Sequence, residues 1–109
     1  MAQSLPYYPM PIPQWAYCSC VEFAKQYLGR NNESWGAAYQ IKPNIDRPVV
    51  GGLVLANESK YGHAAVITAI ERDGFWVVEG NYKPCQKTRR FIKNNYDFSC
   101  IVQIFYLPL

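Results

Sequence analysis

Hydrophobic and polar positions divide the chain into an N-terminal helical part and a C-terminal part rich in β-forming residues. In the first part, apolar side chains recur at the spacing of one helical face, namely Cys20, Phe23, Ala24, Tyr27 and Leu28. Ser19 followed by Glu22 is a capping-box pattern, which predicts that the helix begins directly after Ser19. Gly29 supplies a left-handed C-terminal stop. The pattern therefore predicts one short helix with Cys20 in its first turn.

Beyond residue 49 the apolar pattern becomes that of β-strands. Strand-like runs cover residues 53–56, 63–70, 75–79, 88–93 and 101–107, and polar or turn-forming segments separate them. Residues 35–41 fit either a brief second helix or an irregular packed segment. The order of elements predicts an α+β fold, in which the N-terminal helix packs on an antiparallel meander.

The turn at residues 72–74 decides which side chains share a face of the predicted sheet. A three-residue loop with its glycine in the left-handed conformation pairs Glu71 with Phe75 and places His63 and Glu79 on one face. A two-residue Asp-Gly turn would instead place Glu79 on the face opposite His63. We expect the three-residue loop.

Length and composition fit a single packed domain. The chain has 109 residues, half of them hydrophobic, and a formal net charge of +3. This mild charge does not indicate nucleic acid binding, and no apolar run approaches the roughly 18 residues of a membrane-spanning helix. Four prolines between Pro6 and Pro13 predict an extended arm over residues 1–13, which either lies against the body or serves as a ligand for another domain. Residues 14–109 then form the one domain, expected to be a monomer.

The N-terminus lacks the basic and apolar regions of a signal peptide, so we expect synthesis in the cytoplasm without one.

The four cysteines, Cys18, Cys20, Cys85 and Cys100, match no zinc template, and the chain has one histidine. No metal or other cofactor is predicted. Reduced thiols are the default expectation in the cytoplasm, with a Cys85–Cys100 disulfide as the alternative.

Cys20 is the candidate nucleophile. At the start of a helix its thiol is close to unsatisfied N–H groups and the positive end of the helix dipole, and both favour the thiolate. The alternative is a cysteine that only packs. Cys18 is a weaker candidate, because it precedes the helix cap and lies off the apolar face.

His63 is the candidate base, because it is the sole histidine and starts a predicted strand. Glu79 interrupts an apolar strand, where a charge needs a partner, and it could orient the imidazole. Asn81 could take the same role. The alternatives are a structural or exposed histidine and an exposed glutamate at a strand end.

These residues carry a resemblance. The segment 20–25, Pro48 with 52–54, the run 62–67 and the segment 78–81 together resemble the CHAP family, the cysteine, histidine-dependent amidohydrolases/peptidases of the papain-like and NlpC/P60 group. The resemblance implies a papain-like fold in which Cys20 is the nucleophile, His63 the base and acid, and Glu79 the orienting residue. In full, the catalytic set that it implies is Cys20, His63, Glu79 and Asn81.

Two further features compare with the family. Gln14 stands six residues before Cys20, the spacing at which papain-like enzymes place an oxyanion-hole glutamine. Gly51-Gly52 replaces the Gly-Asp that the family often has, and the acidic cluster that some relatives use for calcium is not recognisable. No metal site is therefore expected.

The resemblance implies a hydrolase that cleaves amide bonds of cell-wall peptidoglycan, acting at the wall after release or as part of a virion. Two alternatives stay open: an amidase for soluble glutathione–polyamine conjugates, and an inactive family member used for assembly or binding. A basic stretch at residues 83–93 could approach an anionic wall or be a solvated strand face. Trp35, Tyr39 and Trp76 could line a cleft or belong to the core.

Overall fold

In a computed structural model of the protein, one α-helix packs on a five-stranded antiparallel sheet. The structure describes residues 12–56, 61–93 and 104–108. The elements are α1 (Cys20–Tyr27), β1 (Leu53–Ala56), β2 (His63–Glu71), β3 (Gly74–Gly80), β4 (Lys87–Lys93) and β5 (Ile104–Tyr106), with short 3₁₀ helices at Gln14–Cys18 and Ala38–Gln40. The sheet order β4-β3-β2-β1-β5 makes the first four strands a meander and adds β5 beside β1. This confirms the predicted α+β fold.

Helix α1 begins and ends where its sequence signals predict. The hydroxyl of Ser19 accepts the backbone N–H of Glu22 at 3.2 Å, which satisfies one of the otherwise unpaired N–H groups of the first turn. The Glu22 carboxylate pairs with Lys25 and not with the backbone N–H of Ser19, so one of the two hydrogen bonds of the capping box forms. At the other end Gly29 has a φ of +71°, and the N–H of Arg30 reaches the Lys25 carbonyl at 2.8 Å, which is the closing bond of a Schellman motif.

The sheet has an apolar cluster on each face. One cluster joins α1 to the sheet and includes Phe23, Ala24, Tyr27, Leu53, Leu55, Ala64, Val66 and Val78. The other contains Val54, Ala65, Ile67, Phe75, Val77 and Phe105. Helix α1 lies very close to the end of β3, because a Cβ added at Gly80 would stand 2.7 Å from the Cβ of the fully buried Phe23. This contact fixes the distance between the helix and the strand that carries Glu79.

The β2–β3 hairpin has a different register from the predicted one. Glu71 pairs with Gly74 across a two-residue turn, so the predicted Glu71–Phe75 pairing is wrong. Because the register shifts again between Ile67 and Ala69, Val66 pairs with Val78. The tighter turn and this bulge each move the pairing by one residue in the same direction. Beyond the bulge the total shift is two residues, which keeps the predicted faces there, so His63 and Glu79 still share one.

Other elements refine the predictions. Residues 35–41 are the irregular alternative, with a 3₁₀ turn at Ala38–Gln40, and β4 begins one residue before the predicted run. The proline-rich arm at residues 1–13 lies outside the described residues except for Ile12, which packs against the α1 cluster, and Pro13. The start of the predicted last strand, residues 101–103, and Cys100 also lie outside them.

Candidate active site

The structure brings Cys20, His63 and Glu79 together where the first turn of α1 meets the start of β2 and the end of β3. Gly62 lets the backbone pass close to the 3₁₀ segment at this junction. It has a φ of +75°, and a Cβ there would lie 3.1 Å from the backbone nitrogen of Tyr39, so a side chain would push the 3₁₀ segment away. The Tyr39 N–H instead donates to the Tyr61 carbonyl at 3.0 Å. The chain just before His63 is thereby tied to the body of the domain.

The imidazole of His63 contacts a carboxylate on one side and a thiol on the other. Its Nε2 lies 2.7 Å from Oε1 of Glu79, and its ring also forms a hydrogen bond with the Cys20 side chain. Because Nε2 is engaged by Glu79, Nδ1 is the nitrogen left for the sulfur. His63 is buried and Glu79 has no exposed surface, whereas Cys20 is half-buried. The thiol is thus the most exposed of the three groups.

The electrostatics favour a thiolate beside an imidazolium. Burial, the largest single influence, raises the pKa of the Cys20 thiol, but the hydrogen bond from His63 and the Ala64 N–H outweigh it, so the pKa is lowered. Burial also lowers the pKa of His63, yet the contacts with Cys20 and Glu79 reverse this and raise it to about 9. Both shifts favour a thiolate–imidazolium pair, and the thiolate is the reactive form of cysteine.

Glu79 is held as a carboxylate by a full set of hydrogen bonds. Besides His63, it accepts Nε and Nη2 of Arg90 at 2.7 and 2.8 Å and the hydroxyl of Thr88 at 3.2 Å. Burial raises the pKa of Glu79, but these bonds and the charges of Arg90 and His63 outweigh it and leave the pKa below its usual value. A buried charge is costly when it is alone, and here it is paired.

Cys18 and Cys85 form a disulfide, and Cys20 is the free thiol among the described cysteines. The expectation of reduced thiols and the alternative Cys85–Cys100 pair are both corrected by this bond. Its physical basis is the fold, which brings the residue before the α1 cap to the β3–β4 turn across 67 positions of sequence, with the two Cα atoms 3.9 Å apart. Since Cys18 is oxidised, it does not compete with Cys20 as a nucleophile.

A cleft of about 550 Å³ opens onto the sulfur of Cys20. It is lined by Cys18, Ser19, Cys20, Val21, Gly36, Ala37, Ala38, Tyr61, Gly62, His63, Asn81 and Tyr82. The aromatic residues of the cleft are thus Tyr61 and Tyr82, which the sequence did not single out. Trp35 packs edge-on against Tyr106, and Trp76 packs against Phe91 on the sheet.

Asn81 and Gln14 are placed differently from the other three candidates. Asn81 lines the cleft, but it has a φ of +64° and its side-chain oxygen accepts the N–H of Cys85 at 2.9 Å. Asn81 therefore shapes the turn after β3, and its contact with the imidazole is not seen. Gln14 is exposed in the first 3₁₀ helix and is not among the residues that line the cleft. Asn81 thus shares the cleft with the thiol–imidazole pair and Gln14 lies outside the cleft lining, and the catalytic roles of all five residues stay predictions.

Within residues 12–56, 61–93 and 104–108, no cluster of three or more His, Cys, Asp or Glu side chains is arranged to hold a metal ion. No helix in this part of the chain is both long and apolar enough to cross a membrane.

A helix that presents a cysteine at its N-terminus, packed on an antiparallel sheet that supplies a histidine and an acidic residue, is the arrangement of the papain-like cysteine hydrolases. The family model described as "CHAP domain" matches residues 10–81, more than half of the chain. The chain therefore belongs to the CHAP family, whose members are in general hydrolases. No curated protein and no solved structure matches the chain.

Proposed function

We propose that the protein is a cysteine amidohydrolase or peptidase that cleaves amide bonds in peptidoglycan through Cys20, His63 and Glu79. The observation that carries this proposal is the contact chain from the half-buried Cys20 thiol through the imidazole to a fully buried carboxylate, with His63 Nε2 and Glu79 Oε1 2.7 Å apart. An inactive, purely structural family member would have no need to keep a carboxylate buried and fully bonded behind the histidine, since that arrangement has a desolvation cost.

In the first half-reaction the Cys20 thiolate attacks the carbonyl carbon of the scissile amide, and the carbonyl electron pair moves onto oxygen. The oxyanion develops near the N-terminus of α1, where unsatisfied N–H groups and the helix dipole favour negative charge. When the tetrahedral intermediate collapses, the C–N bond breaks and the His63 imidazolium gives its Nδ1 proton to the leaving amine. The products of this half-reaction are a thioester on Cys20, a free amine and a neutral imidazole.

In the second half-reaction the neutral His63 takes a proton from water, and the resulting hydroxide attacks the thioester carbonyl. The C–S bond breaks, the new carboxylic acid leaves, and the thiolate–imidazolium pair is restored. The proton affinity of Glu79 stays low throughout, because Arg90 and Thr88 donate hydrogen bonds to its carboxylate oxygens. It therefore orients the imidazole and stabilises its charged form, without taking the proton itself.

The lining of the cleft bears on the substrate. Among the described residues it contains no Asp, Glu, Lys or Arg, and its members include the small residues Gly36, Ala37 and Ala38 and the aromatic residues Tyr61 and Tyr82. Such a lining suits uncharged, small side chains beside the scissile bond, as in the alanine-rich stem peptides of peptidoglycan. The proposed place of action is the cell wall, which the protein would reach after release from the cell or within a virion.

Purified peptidoglycan digested with the protein and read by mass spectrometry tests the proposal. We expect new amino and carboxyl ends at one type of peptide amide bond, and none with the Cys20→Ala variant. A parallel digest of a glutathione–polyamine conjugate tests the soluble-substrate alternative. Cleavage of the conjugate alone would overturn the peptidoglycan assignment, and equal cleavage by wild type and Cys20→Ala would overturn the mechanism. A protein that cleaves neither substrate would favour the assembly or binding alternative.

A further inference from the structure

Arg90 is the residue that contacts the buried carboxylate most extensively. Its guanidinium donates from Nε to Oε2 of Glu79 at 2.7 Å and from Nη2 to Oε1 at 2.8 Å, which is a bidentate pair. The same Oε1 accepts His63 Nε2, so one carboxylate oxygen is shared between the guanidinium and the imidazole. Arg90 is therefore one contact removed from the base.

A second contact fixes the guanidinium in place. Its Cζ lies 3.7 Å from the ring centroid of Tyr82, a cleft residue whose own ring centroid is 5.9 Å from that of His63. Stacking on an aromatic face and bidentate binding of a carboxylate both need the planar guanidinium, so a lysine cannot reproduce the pair of contacts. Arg90 comes from β4, beyond residues 10–81 that match the family model.

The contacts of Arg90 balance the charge of the buried Glu79 carboxylate. Glu79 has no exposed surface, so without Arg90 its charge would be balanced by the imidazolium alone. A buried carboxylate beside a single imidazolium can take the proton back, which would leave a neutral acid and a neutral imidazole. With four donated hydrogen bonds the carboxylate has no lone pair to spare, and the proton stays on His63.

We infer that Arg90 is a positioning residue of the site, which keeps Glu79 ionised and aimed at His63 and so maintains the thiolate of Cys20. The inference rests on the proposed roles of Cys20 and His63. Arg90 is not itself among the residues that line the cleft, and the cleft residue that it contacts is Tyr82, through the face of the ring. Its contact with the catalytic set is the bidentate pair with Glu79, so it acts through Glu79 and not on the substrate.

The test measures the rate at which iodoacetamide alkylates Cys20 as a function of pH, by mass spectrometry, without reductant so that the Cys18–Cys85 bond persists. For Arg90→Met we expect the acid limb of the rate profile to move measurably to higher pH, because a guanidinium favours the charged form of the carboxylate beside it, and its loss weakens the support for the imidazolium and hence for the thiolate. Arg90→Lys retains the charge but not the bidentate geometry, so its acid limb should lie between those of the wild type and Arg90→Met.

Arg89→Met is the matched control. Arg89 is the neighbouring residue on the opposite face of β4, and it stacks on Trp76 at 4.1 Å much as Arg90 stacks on Tyr82. The substitution removes the same unit of charge and a similar aromatic contact, yet it leaves Glu79 bonded. We expect its acid limb to coincide with that of the wild type.

The outcomes separate the possibilities. An Arg90→Met variant that unfolds at lower temperature but keeps the wild-type acid limb would show a merely structural residue and overturn the inference. If Arg90→Met does not fold, Arg90→Lys decides, and an acid limb at the wild-type pH overturns the inference. Since alkylation needs no substrate, a shifted limb in a protein that cleaves no amide would refute the proposed function and leave the role of Arg90 standing.

Discussion

His63 is the one histidine of the chain, so its titration can be followed by NMR without ambiguity. In the folded protein its pKa is raised from 6.5 to about 9 by Cys20 and Glu79 against the opposing effect of burial. At about 1.4 kcal/mol per unit, this rise corresponds to about 3 kcal/mol in favour of the imidazolium. We predict that Glu79→Gln, which removes the carboxylate charge 2.7 Å from Nε2, lowers the pKa of His63 by about one unit or more.

Two further variants make the measurement specific. Cys20→Ser should also lower the pKa of His63, because the thiolate is its other stabilising neighbour. Glu71→Gln should leave it unchanged, because Glu71 is exposed at the opposite end of β2. An imidazole that titrates at the same pH in Glu79→Gln and in wild type would refute the reasoning, as would a wild-type titration near 6.5.

Three other predictions concern stability. Because the disulfide between Cys18 and Cys85 closes a loop of 67 positions, replacing both cysteines by serine should lower the free energy of unfolding by about 4 kcal/mol, measured by urea denaturation; an unchanged midpoint would contradict this. The lowered pKa of Glu79 contributes stability above its unfolded value of about 4.5 and loses it as pH falls through the folded pKa. Thermal unfolding of Glu79→Gln should therefore depend less on pH below about 4.5 than that of wild type, and parallel curves would contradict this. Gly80→Ala should cost about 1–3 kcal/mol, because its Cβ would meet Phe23 at 2.7 Å, and a wild-type melting temperature would count against the described packing.

The helix that carries Cys20 was predictable because its signals are local. Ser19 caps it, Gly29 ends it in the left-handed conformation, and the apolar spacing marks the buried face. Each of these signals acts within one turn of helix, so tertiary structure is not needed to interpret them. The sequence therefore located the thiol at the start of α1.

The relation between His63 and Glu79 was predicted correctly through an incorrect register. The turn is one residue shorter than expected, and a bulge adjacent to Thr68 adds the second shift, so the face is preserved. A bulge has no reliable local signature, because it depends on how both strands pack. Had only one of the two differences occurred, the sequence would have placed Glu79 on the wrong face.

The contacts that support the site were not predictable from local patterns. Arg90 reads as one charge in a basic stretch, and it becomes a partner of Glu79 only through the pairing of β3 with β4. The disulfide between Cys18 and Cys85 likewise depends on a turn closing against the segment before α1. These residues are distant in sequence, and their proximity is a property of the assembled sheet.

Trapping the acyl–enzyme on Cys20 is the most direct test of the account. Wild-type protein mixed with purified stem peptides, quenched in acid and fragmented in a mass spectrometer should carry the acyl half of the peptide on the Cys20 sulfur. The Cys20→Ala variant should carry no adduct and release no amine. Peptide cleavage by Cys20→Ala at the wild-type rate, or an adduct on a different residue, would contradict the account.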